Sequence, residues 1–203
     1  MAKLKQTKIT KITKTTRITH KSGKSSKSRK TITRATTSIA RNKQDNILHH
    51  HFLIRCELGT RLYKTDSTRI QKFLDNITQD IHMKKLGALT FWVDGDKIKE
   101  GITGVNVIET SHIAAHVWNH PEPRILHHTK SRALMQFDIY TCGRLTNEDI
   151  IIALEHLEQF QPTHITMTLL NRKWSLTIDR HISWTLGESQ TWLEWIDKQK
   201  ITK

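Results

Sequence analysis

Cysteine is almost missing from this chain: Cys56 and Cys142 are the only two. Two are too few for a disulfide framework and fit a reducing compartment. No run of 18 apolar residues occurs either, so no segment reads as a membrane-spanning helix. Together these absences make a cytoplasmic location the expectation. Acidic residues are missing from the first 44 positions, where 14 of the 33 lysines and arginines fall. The other 19 basic residues face all 19 acidic ones from Asp45 onward, so the formal charge of +14 belongs to the N-terminal stretch. The chain therefore reads as a basic tail, 1–44, and an electrically neutral domain, 45–203, long enough for one core.

The tail runs "KITKITKTTRIT" at 8–19 and "KSGKSSKSRK" at 21–30. A period of three suits neither an amphipathic helix nor a half-buried strand. With few large apolar groups and strong self-repulsion, this stretch is expected to stay unfolded. Three roles remain open for it: a solvated tail, a nonspecific nucleic-acid or polyanion contact through counterion release, or an organelle-targeting segment. No base-reading motif accompanies it.

Within 45–203, "HHFLIRCEL" (50–58) reads as a first strand. Asp66 or Ser67 then caps a helix whose apolar positions Ile70, Phe73, Leu74, Ile77 and Ile81 share one face. "GALTFWV" (87–93) is a strand closed by the turn signal Asp94-Gly95. The run "VNVIETSHIAAHVW" (105–118), entered past Gly101 and Gly104, reads as one or two strands with an irregularity near Ser111. Residues 119–131 form a loop with two prolines. "LMQFDIYTC" (134–142) is a strand, and Thr146 caps a second helix through 147–160. A hairpin is expected about Asn171-Arg172-Lys173, followed by a last helix in "SQTWLEWIDKQ". The order predicts an α/β two-layer sandwich, a mainly antiparallel sheet with helices covering one face.

Several residues invite chemistry. His112 and His116 have the i, i+4 spacing of a zinc-binding helix but lack the accompanying Glu. His49, His50, His51, His127 and His128 add possible ligands, yet thirteen histidines make accidental clusters common. No metal is expected. Ser111 has no triad apparent in sequence, and strict alternation puts it on the strand face opposite His116. Cys142, between a strand and Gly143, is either a small buried hydrophobe or an accessible thiol that exchanges a proton.

"GITGVNVIETSHIAAHVW" (101–118) followed by "FDIYTCG" (137–143) resembles the bacterial and archaeal form of S-adenosylmethionine decarboxylase, across roughly residues 50–170. In that family a Gly-x-Ser-Gly-Val run precedes Glu-Ser-His-x-x-x-His-x-Trp-Pro-Glu and a strand ending Thr-Cys-Gly. The resemblance implies a self-processing enzyme in which Ser111 attacks the carbonyl of Thr110. The chain then divides at 110/111 and a pyruvoyl group remains at 111. That group would form a Schiff base with the amine of S-adenosylmethionine and accept electrons as carboxylate leaves. By the same resemblance Thr103 and His116 assist processing, Cys142 returns a proton, and Glu122 binds the ribose diol. Phe91 and Trp92 are candidates to face the sulfonium. Small members of the family commonly pair as dimers, and the product would serve spermidine synthesis.

The sequence departs from the family pattern at several points. Thr110 stands where the family has Glu, and Thr103 where it has Ser. Asn119-His120 separate Trp118 from Pro121-Glu122, and the interval from His116 to Cys142 is longer than usual. The first strand carries Cys56-Glu57 where the family has an acidic residue near its substrate pocket. Asp96, Lys97 and Lys99 occupy the region of the family's adenine-stacking aromatic. Other readings therefore stay open: a pyruvoyl decarboxylase of ornithine or arginine, a catalytically silent homologue with a binding or regulatory role, and a polyanion-binding protein acting through residues 1–44.

Overall fold

A computed structural model describes residues 48–188 and 190–201. The roles considered for the basic tail lie outside the described residues.

Among the described residues, seven strands form one sheet, in the order β2-β3-β4-β5-β1-β6-β7, and every neighbouring pair is antiparallel. They are β1 (His50–Leu58), β2 (Lys85–Val93), β3 (Gly101–Ile108), β4 (Ser111–Trp118), β5 (Ala133–Thr141), β6 (Pro162–Asn171) and β7 (Thr177–Thr185). Three α-helices of the described residues accompany them: α1 (Ser67–Asp80), α2 (Asn147–Leu157) and α3 (Trp192–Ile201).

Period two sorts the strand residues cleanly between two faces. Phe52, Ile54 and Cys56 of β1, Ile113, Ala115 and Val117 of β4, and Met135, Phe137 and Ile139 of β5 lie on one buried face. Ile70, Phe73, Leu74 and Ile77 of α1 meet that face and are essentially inaccessible. Each such side chain contributes about 2 kcal/mol relative to exposure. Gly104 permits the close approach, because a Cβ there would sit 2.9 Å from Leu74 Cδ1 and from Thr90 Oγ1. α2 starts where Thr146 accepts from the Asp149 N–H and Asp149 accepts in return from the Thr146 N–H, a reciprocal cap. α3 adds Trp192 and Trp195, with Trp184 of β7 against Trp192 at 5.2 Å between ring centroids.

Among the described residues, the opposite face carries no helix. Along its middle runs a cross-strand row: Phe91 opposite Thr103, Thr103 opposite His116, His116 opposite Gln136, and Gln136 opposite Arg55. Apolar groups such as Leu89 and Phe91 are more than half exposed there.

The expected two-layer α/β architecture is present. Some boundaries move. Gly101 and Gly104 lie inside β3, because the backbone of Val117 crowds Gly101 so closely that no Cβ fits. β7 begins at Thr177, since the exposed Trp174 and its neighbours complete the turn after β6. The run 105–118 resolves as two strands joined by the two-residue turn Glu109-Thr110.

Candidate active site

The turn between β3 and β4 leads into a strained backbone residue. Two-residue hairpin turns favour positive φ at their central residues, usually supplied by Gly or Asn. Glu109 and Thr110 do not take it, and the positive φ falls on the next residue, Ser111, at +149°. A non-glycine residue in that region carries about 1–3 kcal/mol of strain. The strain thus sits on the residue whose amide joins Thr110 to Ser111.

The chain segment after β5 closes over this junction. The Cys142 N–H donates to the Thr110 carbonyl at 3.0 Å. The Thr141 hydroxyl donates to Thr110 Oγ1 at 2.9 Å, and the Gly143 N–H donates to Thr141 Oγ1 at 2.9 Å. Space is tight: a Cβ on Gly143 would stand 3.2 Å from Thr141 Oγ1. Ser111, Thr110 and Cys142 are therefore together, with Cys142 partly accessible. Ser111 Oγ lies 3.2 Å from His112 Nδ1.

His116 and Thr103 are paired with each other, Thr103 Oγ1 being 3.2 Å from His116 Nδ1. They are not beside Ser111. His116 is five positions along β4 from Ser111, about 17 Å at a strand's rise per residue. Glu122 is at the His116 end too, half exposed and ion-paired with Arg124. It lines a cleft of ≈ 440 Å³ with Ile98, Trp118, His120 and Pro121. Phe91 faces the helix-free side beside Thr103, whereas Trp92 points to the helix-covered side and packs against the core. Alternation along β2 makes those orientations exclusive, so the two rings cannot meet one ligand from a single face. The expected residues thus form two half-sites, at opposite ends of β4.

The loop 119–131 is anchored by Glu57, which has no exposed surface. Its carboxylate accepts from Arg55 Nη1 at 2.7 Å, Ser131 Oγ at 2.7 Å and the His127 N–H at 2.8 Å. Burial alone would raise its pKa, but the donors from Arg55, Ser131 and His127 prevail and hold it at about 2. His127 stacks on His164 at 4.1 Å between centroids. Burial first, and then the neighbouring His127, push the His164 pKa down. Ligand atoms of Glu57, His127 and His164 lie within 4.8 Å of one another. A cation entering there would have to displace the Arg55 guanidinium, so the cluster reads as a network that fastens the loop.

Two features escaped the sequence reading. In sequence His112 stands out only as a metal ligand and Asp138 does not stand out, yet His112 Nε2 is 3.3 Å from Asp138 Oδ2. The available signal was that Asp138 and Tyr140 alternate on the wet side of "FDIYT", next to the strand holding Ser111. The burial of Glu57 is not legible in sequence, because two of its partners, His127 and Ser131, lie 70 and 74 residues away.

Residues 60–173, more than half of the chain, match the family model described as S-adenosylmethionine decarboxylase. The chain belongs to the S-adenosylmethionine decarboxylase family. Membership supports an adenosylmethionine decarboxylase (lyase) activity in polyamine biosynthesis and implies pyruvoyl-dependent chemistry. Among solved structures, the chain is similar to the adenosylmethionine decarboxylase from Aquifex aeolicus VF5, at 19% identity and a TM-score of 0.45, over 66% of this chain and 97% of that one. It is also similar to a phage SAM lyase in complex with S-methyl-5′-thioadenosine, at 12% identity and a TM-score of 0.35, over 70% of this chain and 93% of that one. The stretch matched by the S-adenosylmethionine decarboxylase family model contains both half-sites, from Thr103 to Cys142, but not Glu57. No described helix is long and apolar enough to cross a membrane.

Proposed function

We propose that the chain divides between Thr110 and Ser111, that residue 111 becomes a pyruvoyl group, and that the processed protein decarboxylates S-adenosylmethionine. The observation that carries this reading is the strained Ser111, at φ +149°, next to a Thr110 carbonyl that accepts from the Cys142 N–H at 3.0 Å. A hydroxyl adjacent to its own peptide carbonyl has a high effective concentration. The ester product is normally uphill, and relief of backbone strain offsets part of that cost. The Cys142 N–H is already placed to hold the oxygen that turns negative when the carbonyl is attacked.

Residues present fit the group. A pyruvoyl group supplies a carbonyl that takes up the substrate amine and draws electrons from the bond to the departing carboxylate. Cys142 stands beside residue 111 and returns a proton to the substrate carbon. Glu122, with two acceptor oxygens, suits the vicinal diol of the ribose. Phe91 offers an aromatic face on the same side of the sheet as His116, while Trp92 is left to the core.

The two half-sites are completed by a second copy of the chain. A two-fold pairing of the helix-free faces sets the Ser111 end of one β4 against the His116 end of the other. Thr103, His116 and Glu122 then serve the junction of the partner, and the exposed apolar groups of that face are covered. The test is release of carboxyl-labelled carbon dioxide from S-adenosylmethionine, ornithine and arginine. Release from S-adenosylmethionine alone is expected. A chain that divides at 110/111 yet releases nothing from S-adenosylmethionine would overturn the substrate assignment.

A further inference from the structure

Resting on the self-processing just described, we infer that His112 is the base that takes the Ser111 hydroxyl proton, with Asp138 as the positioning residue that fixes its tautomer. Neighbouring side chains on a regular strand point to opposite faces. At Ser111 the positive φ breaks that rule, and its Oγ comes within 3.2 Å of His112 Nδ1. The other ring nitrogen, Nε2, lies 3.3 Å from Asp138 Oδ2. A carboxylate this close repels a lone pair on Nε2, so its charge favours the proton there and leaves the Nδ1 lone pair facing the hydroxyl. Nucleophile, imidazole and carboxylate are thus in series, the arrangement that activates a hydroxyl in unrelated folds.

Asp138 is itself held. His51 Nε2 lies 3.2 Å from the same Oδ2. Arg172 Nη1 is 3.2 Å from His51 Nδ1 and, since a guanidinium only donates, it leaves the single N–H proton of His51 on Nε2. Arg172 also lies over the Tyr140 ring, at 4.5 Å from its centroid, and that ring packs against both His51 and His112. Side chains from β5, β1 and the turn after β6 therefore surround one imidazole.

The step balances as an isomerisation. The Ser111 O–H proton passes to His112 Nδ1 while Oγ bonds to the Thr110 carbonyl carbon. The oxyanion is held by the Cys142 N–H. The carbon–nitrogen bond to Ser111 then breaks, and the freed nitrogen takes the proton from His112. An ester replaces the amide, and nothing else is consumed.

The experiment follows division of the full chain after cell-free synthesis, by gel and intact mass, for wild type, His112→Ala, His112→Gln, Asp138→Asn and Asp138→Glu. The His112 variants should slow division by about 100-fold or more. Removing the ring leaves a space of imidazole's own shape beside Ser111 Oγ, so added imidazole should speed division of His112→Ala in proportion to its concentration. Asp138→Asn should be slow and Asp138→Glu faster than it, with melting temperatures close to wild type. The inference is overturned if wild type divides and His112→Ala divides within threefold of its rate, or if imidazole leaves the slow variant unchanged. A wild-type chain that never divides would instead remove the self-processing beneath it.

Discussion

Division of labour between two copies can be tested by complementation. His116 and Ser111 lie five residues apart on one strand, about 17 Å at the rise of extended chain. A hydrogen bond needs about 3 Å, so no side-chain rotation within one chain bridges the gap. If the partner supplies His116, a dimer of Ser111→Ala with His116→Ala contains one site with both defects and one with neither. Expressed alone, neither variant should divide. Co-expressed in equal amounts with random pairing, about half of the His116→Ala chains sit in mixed dimers and should divide. Mass-tagged chains and a denaturing gel read that fraction directly, and the Ser111→Ala chains should remain whole. Two results would refute the reasoning: no divided His116→Ala chain in the mixture, or division of His116→Ala by itself at the wild-type rate.

Other outcomes follow from the same structure. Glu57 titrates at about 2 when folded against an ordinary 4.5, so its contribution is present above pH 4.5 and is lost as pH falls toward 2. The shift corresponds to about 3 kcal/mol, readable as acid sensitivity of urea melts that Glu57→Gln should flatten. The depressed His164 acts in the same direction at milder acidity, since the unfolded imidazole binds a proton that the folded one resists. Cys142→Ala keeps the backbone N–H that meets Thr110, so division should proceed while carbon dioxide release falls at least tenfold. Leu74→Ala, in the fully buried contact of α1 with β3, should cost about 2–5 kcal/mol in denaturant unfolding without moving the division site.

The fold was largely legible because its signals are local. Ile70, Phe73, Leu74 and Ile77 repeat at helical spacing and are all buried in α1. Thr146 and Asp149 form their cap within four residues. The polar interruption at 109–111 marked the hairpin, although the sequence left one strand or two undecided. What stayed hidden depends on contacts across the sheet. His112 and Asp138 meet only because β4 lies beside β5 in a register that sets His112 opposite Tyr140 and Ala114 opposite Asp138. Glu57 reads in sequence as a first-strand acid near the family's pocket position, and its burial depends on a loop 70 residues further along the chain. The separation of His116 from Ser111 followed from counting along an extended strand, but the count mattered only once the segment was known to be a strand over its whole length.

The most direct measurement is the intact mass of the purified chain under denaturing conditions. The account predicts two polypeptides meeting at 110/111, the downstream one beginning with a keto group in place of an amine and reactive toward carbonyl reagents. A single chain with Ser111 still in amide linkage to Thr110 would contradict it.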